Sequence, residues 1–256
     1  MVRLTFLGTG TSQGVPMIAC DCEVCRSEDS HDKRLRSSVM VESRGVRIVI
    51  DAGPDFRFQM LREHVHSIDA ILLTHEHKDH TGGIDDVRAF NYFLDRPVDI
   101  YATERVQSAV RKDFDYAFEE RKYPGVPEIS LHTIASEPFS VRGLEIVPVL
   151  GRHFMLPVTG FRIGSVAYLT DFNHIEDSEL EKLRGLDCLV INALRREKHI
   201  SHFTVDEAIA VSRRISPKRT FLTHASHQMG LYREVEKTLP EGIRLAYDGL
   251  TIESDC

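Results

Sequence analysis

Six consecutive residues carry most of the chemistry in this chain. His75-Glu76-His77-Lys78-Asp79-His80 has the pattern H-x-H-x-D-H, with four potential metal ligands in one short segment. Imidazole and carboxylate together suit zinc, manganese or iron. A hydrolytic centre also needs an open position for water, so further ligands would have to come from elsewhere. The candidates are His153, Asp171 in Leu169-Thr170-Asp171-Phe172, and His224 in Leu222-Thr223-His224-Ala225-Ser226-His227. A second cluster is Cys20-Asp21-Cys22-Glu23-Val24-Cys25, a C-x-C-x-x-C run. Asp21 and Glu23 make it polar, so its thiols do not read as small core residues. A structural zinc there needs a fourth ligand to close its tetrahedron, and His227 is the candidate. Cys188 lies in an apolar run and Cys256 is the last residue. An odd count of five, three of them clustered, favours a metal and a reduced compartment over a disulfide framework.

The elements that must position these residues are legible from pattern. The apolar run 70–74 precedes the histidine cluster and reads as a strand covered on both faces. His153, Asp171 and His224 likewise follow strands expected at 144–150, 166–169 and 219–222. Other strands are expected at 4–7, 38–42, 46–50, 131–134, 158–163, 188–191, 245–247 and 251–252. Helical spacing covers 84–93, 104–118, 176–184 and 231–239, the last stopped by Pro240. Thr204-Val205-Asp206-Glu207 is a capping box opening a helix to about Arg214. Strands and helices in two similar halves predict an α/β protein of two sheets packed face to face under helices. No repeat or linker divides it, so 1–256 reads as one domain. A sandwich would bring the strand ends, and the ligands with them, to one edge.

Composition narrows the partners. Of 256 residues, 42% are hydrophobic and 28% charged, an ordinary globular balance. A chain of this length buries roughly 70–75% of its unfolded surface and needs no disulfides to fold. The formal net charge of -7 is not a nucleic-acid footprint. No apolar run reaches the roughly 18 residues of a bilayer span, and residues 1–8 lack a signal-peptide core. A cytoplasmic location is expected.

With these residues on the page, the chain resembles the metallo-β-lactamase superfamily. The likeness runs through Leu7-Gly8-Thr9-Gly10, Asp51-Ala52-Gly53, the six-residue cluster and the later His, Asp and His in order. It implies an αββα sandwich with a dinuclear metal site at one sheet edge. By position, His75, His77 and His153 would hold the first metal. Asp79, His80 and His224 would hold the second, and Asp171 would bridge the two. Asp51 would support the ligands from behind.

Gly10-Thr11-Ser12-Gln13-Gly14-Val15-Pro16, then the C-x-C-x-x-C run, then Thr223-His224-Ala225-Ser226-His227, is similar to the PhnP phosphodiesterases. That resemblance implies manganese or zinc at the catalytic pair and a structural zinc on Cys20, Cys22, Cys25 and His227. It also implies a homodimer and a small, cyclic phosphodiester opened by a metal-bridging hydroxide, with Asp79 and His202 as catalytic residues. His202, in Ser201-His202-Phe203-Thr204, matches a histidine that protonates the leaving alkoxide, a task that suits an imidazolium near neutral pH. Relatives often carry an acidic residue where this chain has Asn192. An asparagine there is expected to accept a hydrogen bond from His202 without raising its pKa as a carboxylate would.

Two other readings compete. A ribonuclease Z-type endonuclease acting on tRNA precursors would carry a basic, mobile arm. None is visible, and the acidic charge disfavours a long polyanion. PqqB-like proteins share the cysteine motif, so a metal protein without phosphodiesterase activity is the third.

Overall fold

The computed structural model of the chain describes residues 1–254, so Cys256 lies outside it. The first sheet contains β1 (Val2–Gly8), β2 (Ser38–Ser43), β3 (Val46–Ile50), β4 (Ala70–Leu72), β5 (Val98–Ala102) and β6 (Ile129–Thr133). The second contains β7 (Phe139–Val141), β8 (Leu144–His153), β9 (Leu156–Ile163), β10 (Val166–Leu169), β11 (Cys188–Asn192), β12 (Arg219–Thr223) and β13 (Ile243–Leu245). The last strand, β14 (Thr251–Ser254), returns to the first sheet beside β1. The strand orders are β14-β1-β2-β3-β4-β5-β6 and β13-β12-β11-β10-β9-β8-β7. Short helices α1 (Glu23–Arg26) and α3 (Lys78–Thr81) sit in loops. Longer ones pack outside: α2 (Phe56–Arg62), α4 (Arg88–Leu94) and α5 (Glu104–Asp113) on one side, α6 (Asp177–Glu181), α7 (Val205–Ile215) and α8 (Tyr232–Glu236) on the other.

The apolar runs explain the layers. Side chains alternate across a strand. Ile48, Ile50 and Leu72 therefore enter the core between the sheets with Phe161, Tyr168 and Phe221. Val49 and Ile71 face outward against Phe56, Phe90 and Val106. Leu189, Ile191 and Leu222 meet Leu180, Val211 and Ile215 on the opposite outer face. Strands buried on both faces cannot alternate with polar residues, and these do not. The result is the expected αββα sandwich.

Strand direction then gathers the loops. Strands β3 to β6 are mutually parallel, as are β10 to β13. Strand β9 runs antiparallel to both β8 and β10, so β8 points the same way as β10. The carboxyl ends of β3, β4, β8, β10 and β12 therefore open on one edge, where α/β sheets place their sites.

Some boundaries differ from expectation. The segment 84–93 divides into a 3-10 turn, Ile84–Val87, followed by α4. Helix α5 ends at Asp113, with a separate turn at Asp115–Ala117. Strand β8 runs on to His153, so that residue ends the strand instead of following it. The 245–247 strand lies at Ile243–Leu245. The capping box forms as read: Thr204 Oγ1 accepts from the Glu207 amide at 3.2 Å, and Glu207 Oε2 accepts from the Thr204 amide at 2.9 Å. Among the described residues no helix is long and apolar enough to cross a membrane.

Candidate metal centre

Asp51, one residue past β3, is fully buried and turns the chain with φ +66°. Its carboxylate accepts from the Thr74 amide at 2.9 Å and from His80 Nδ1 at 2.7 Å. Because Nδ1 of His80 is committed, its Nε2 faces the centre, 3.1 Å from Asp79 Oδ2 and 3.2 Å from Asp171 Oδ2. His153 is fixed in the same manner, its Nδ1 donating to the Ser201 carbonyl at 2.9 Å. Thr74 Oγ1 lies 3.1 Å from Nδ1 of His75. A histidine anchored through one nitrogen presents the other in a set direction.

The structure brings the predicted ligands together. Ligand atoms of His75, His77 and His153 lie within 4.8 Å of one another. So do those of His75, His80 and Asp171, and those of Asp79, Asp171 and His224. Asp171 is common to the last two groups. Both it and His224 hold left-handed backbone, φ +64° and +59°, just past the ends of their strands.

The donor set fits divalent metal ions on two counts. Nε2 of His75 is buried without a hydrogen-bond partner and that of His80 makes no aligned hydrogen bond to the two carboxylates beside it, and orphaned buried nitrogens need an explanation. The electrostatics also demand positive charge. Burial works against a charged His80, yet Asp79, Asp171 and Asp51 together raise it well above its ordinary value. Burial likewise opposes an ionised Asp171, but His224 and His80 hold it well below the carboxylate range. Burial, with His80 beside it, pushes His75 well below its usual value.

His202 sits at the rim of this cluster. Its ring stacks on His224 with centroids 4.8 Å apart and lies 4.6 Å from His153. Its Nδ1 is 3.6 Å from Asp171 Oδ1. Burial pushes the imidazole down to about 3, against the pull of Asp171. The expected bond to Asn192 is absent. Asn192 Oδ1 instead accepts from the Phe172 amide at 2.7 Å, and its Nδ2 donates to the Phe172 carbonyl at 2.9 Å. Both ends of the amide are used on the residue after Asp171, so Asn192 orders the Asp171 loop and makes no bond to His202.

The cysteines form a separate cluster. His227 Nδ1 is 3.3 Å from Cys22 Sγ and 3.4 Å from Cys20 Sγ. With Cys25 Sγ, all four atoms lie within 4.8 Å of one another. Zinc–sulfur bonds of about 2.3 Å set ligands roughly 3.5–4 Å apart in a tetrahedron, so little movement would close one. The His227 contact pulls the Cys22 thiol down to about 6, whereas burial pushes Cys25 up to about 11.

Several supporting residues escaped the sequence. Thr74 and Ser201 hold ligand histidines, and Ser37 Oγ lies 3.1 Å from His224 Nδ1. Glu76, a non-ligand position of the motif, is clamped to α5 by Arg105 at 2.6 Å, and Lys78 pairs with Asp113 on the same helix. A hydroxyl directly after a buried strand was the available signal for Thr74. The others join segments too distant for any spacing rule.

Comparison with known proteins agrees with this geometry. The family model described as a beta-lactamase superfamily domain matches residues 46–225. A crystal structure of a new diphosphatase from the PhnP family superposes with a TM-score of 0.93 at 41% identity, covering 100% of this chain and 98% of that one. The chain belongs to the PhnP family of the metallo-β-lactamase superfamily. As a member it is a metallo-hydrolase, and the family implies divalent metal ions at this edge. An octanoyltransferase of Porphyromonas gingivalis (strain ATCC BAA-308 / W83) is 42% identical over 252 residues. That match covers 97% of this chain and 51% of the relative, so the chain spans about half that protein's length. Coenzyme PQQ synthesis protein B of Methylococcus capsulatus (strain ATCC 33009 / NCIMB 11132 / Bath) is 24% identical, with 96% of this chain and 98% of that protein covered.

Proposed function

We propose that this PhnP-family chain is a two-metal phosphodiesterase acting on a small phosphodiester, with cyclic phosphodiesters as the preferred form. The observation that carries the reading is the position of Asp171, at ligand distance from His75 and His80, from His153 and His202, and from Asp79 and His224. His75, His77 and His153 would hold one ion, Asp79, His80 and His224 the other, and Asp171 both. Two divalent ions, manganese or zinc, would polarise phosphoryl oxygens and lower the pKa of water towards 7.

The chain's own residues set everything else. Asp51, Thr74 and Ser201 fix ring directions, so the centre is preorganised instead of assembled by substrate. Asp79 supplies negative charge beside His80. His202 is the candidate to hand a proton to the leaving oxygen. Burial favours its neutral form, and an anionic substrate would supply countercharge that favours the imidazolium. Cys20, Cys22, Cys25 and His227 would hold a structural zinc that orders the loop before β2. The two sheets share one core, which supports reading 1–256 as a single domain.

The test is hydrolysis of 2′,3′-cyclic nucleotides, a ribose cyclic phosphate and a tRNA precursor by protein reloaded with manganese or zinc. Turnover of the small diesters well above free metal, lost in Asp171→Ala, is expected. Cleavage confined to the tRNA would favour the ribonuclease reading. No turnover with two metals bound would overturn both and favour a PqqB-like role.

A further inference from the structure

His202 is oriented differently from the ligand histidines beside it. Nδ1 of His80 and of His153 is spent on a hydrogen bond, whereas Nδ1 of His202 is buried with no hydrogen-bond partner. A ring without that anchor takes its direction from the rings it packs on and from the backbone that carries it. The rings are His153, His224 and His199, with centroids 4.6, 4.8 and 5.2 Å away. The backbone is irregular from residue 193 to residue 203, between β11 and the cap of α7.

Hydrogen bonds on both sides of His202 hold that irregular segment. The Phe203 amide donates to the Phe172 carbonyl at 2.9 Å, and the Phe203 carbonyl accepts from the Leu194 amide at 3.0 Å. The Ser201 carbonyl accepts from His153 Nδ1 at 2.9 Å. The Ile200 carbonyl accepts from Asn173 Nδ2 at 2.8 Å. Asn173 in turn is fixed to the β8–β9 hairpin. Its amide donates to the Arg152 carbonyl at 2.8 Å, and its Oδ1 accepts from the Phe154 amide at 3.0 Å. A side-chain amide has one accepting and one donating end, and each end here finds its complement on a different segment. The hairpin depends on this tie less than the loop does. Arg152 pairs with Pro157 and His153 with Leu156 in the β8–β9 ladder, whereas the loop has no ladder of its own.

We propose that Asn173 is a positioning residue for His202, anchoring the loop at Ile200 to the end of β8 so that the imidazole keeps its place beside the metal cluster. The inference rests on the phosphodiesterase reading with His202 as proton donor, and deepens it. As the phosphorus–oxygen bond breaks, a departing alkoxide takes the proton of the imidazolium and leaves as an alcohol, and solvent returns a proton to the ring. An aryl oxide such as p-nitrophenolate departs as a stable anion and depends far less on that proton. A misplaced donor therefore slows alkyl diesters selectively.

The experiment compares the parent with Asn173→Ala, His202→Ala and the double variant, all loaded with zinc and checked for metal content. The readout is kcat for bis(p-nitrophenyl) phosphate divided by kcat for 2′,3′-cyclic AMP. His202→Ala should raise this ratio by about 100-fold or more, the ordinary worth of a general acid. Asn173→Ala should raise it by about tenfold, as for a group moved out of line. The double variant should match His202→Ala, because positioning a missing group contributes nothing. Asn173→Asp keeps the acceptor for Phe154 and loses the donor for Ile200, so it should behave as Asn173→Ala and carries the test if the alanine variant loses metal. Equal losses on the two substrates, effects that multiply in the double variant, or a parental ratio in Asn173→Asp would overturn the positioning role. A ratio unmoved by His202→Ala would instead reject His202 as donor, and a parent inactive on both diesters would reject the phosphodiesterase reading; the positioning role falls with either.

Discussion

Asn192 grips both backbone polar groups of Phe172, accepting from its amide and donating to its carbonyl. A side-chain amide can do both, whereas an ionised carboxylate can only accept. Asn192→Asp would keep the acceptor and lose the donor, leaving a buried carbonyl facing a carboxylate. That costs about 1–3 kcal/mol. We expect the metal-loaded variant to melt about 3–10 °C lower by calorimetry and to gain no activity. A variant of parental stability and higher kcat would show that an acid at this position serves His202 after all.

Asp171 is shared by three of the candidate ligand groups at the sheet edge. Asp171→Ala should lower bound metal at the sheet edge by at least one ion per chain and reduce turnover by about 100-fold or more. Elemental analysis after gel filtration reads the first and initial rates the second. Full metal content with unchanged rates would remove Asp171 from the centre.

At the cysteine cluster the expectation concerns order, not rate. Zinc binding contributes folding free energy where a loop has little core of its own, and Val15, Val24 and Cys25 are the only buried apolar residues of that small cluster. Cys22→Ser should lose one zinc per chain and open the segment 15–27 to proteases. Unchanged limited-proteolysis patterns would argue against a bound ion there.

The clamp from α5 onto the ligand loop should be felt as affinity. Arg105 is half exposed, so its pair with Glu76 contributes only about 0–1 kcal/mol. Arg105→Ala should accordingly weaken metal binding by less than about tenfold, measured by competition with a chelator, and combine with Asp113→Ala for a larger loss. Identical affinities in the double variant would show that the loop needs no brace.

How much of this was legible depends on what kind of contact is involved. Strands such as β3 and β10 appear at their expected bounds because burial on both faces leaves a continuous apolar run. The histidine cluster is legible because its ligands share one loop. Helix α2 is not, since Asp55 at its start makes no cap and pairs with Arg36 at 3.0 Å. Strand β7 is three residues long, too short for period two to show. Asn192 was assigned the wrong partner for a related reason. Its bond to Phe172 joins residues 20 apart, and such pairing leaves no periodic trace.

Both metal clusters draw donors from opposite halves of the chain. The edge site would take His75, His77, Asp79 and His80 from loops of the first sheet and His153, Asp171 and His224 from the second. The cysteines reach across to His227 in the same way. Each ion would therefore act as a stitch through the seam between the sheets. Cut at the β6–β7 junction and separated, neither piece would keep a complete donor set for either ion, and the first would also lose β14 from its sheet.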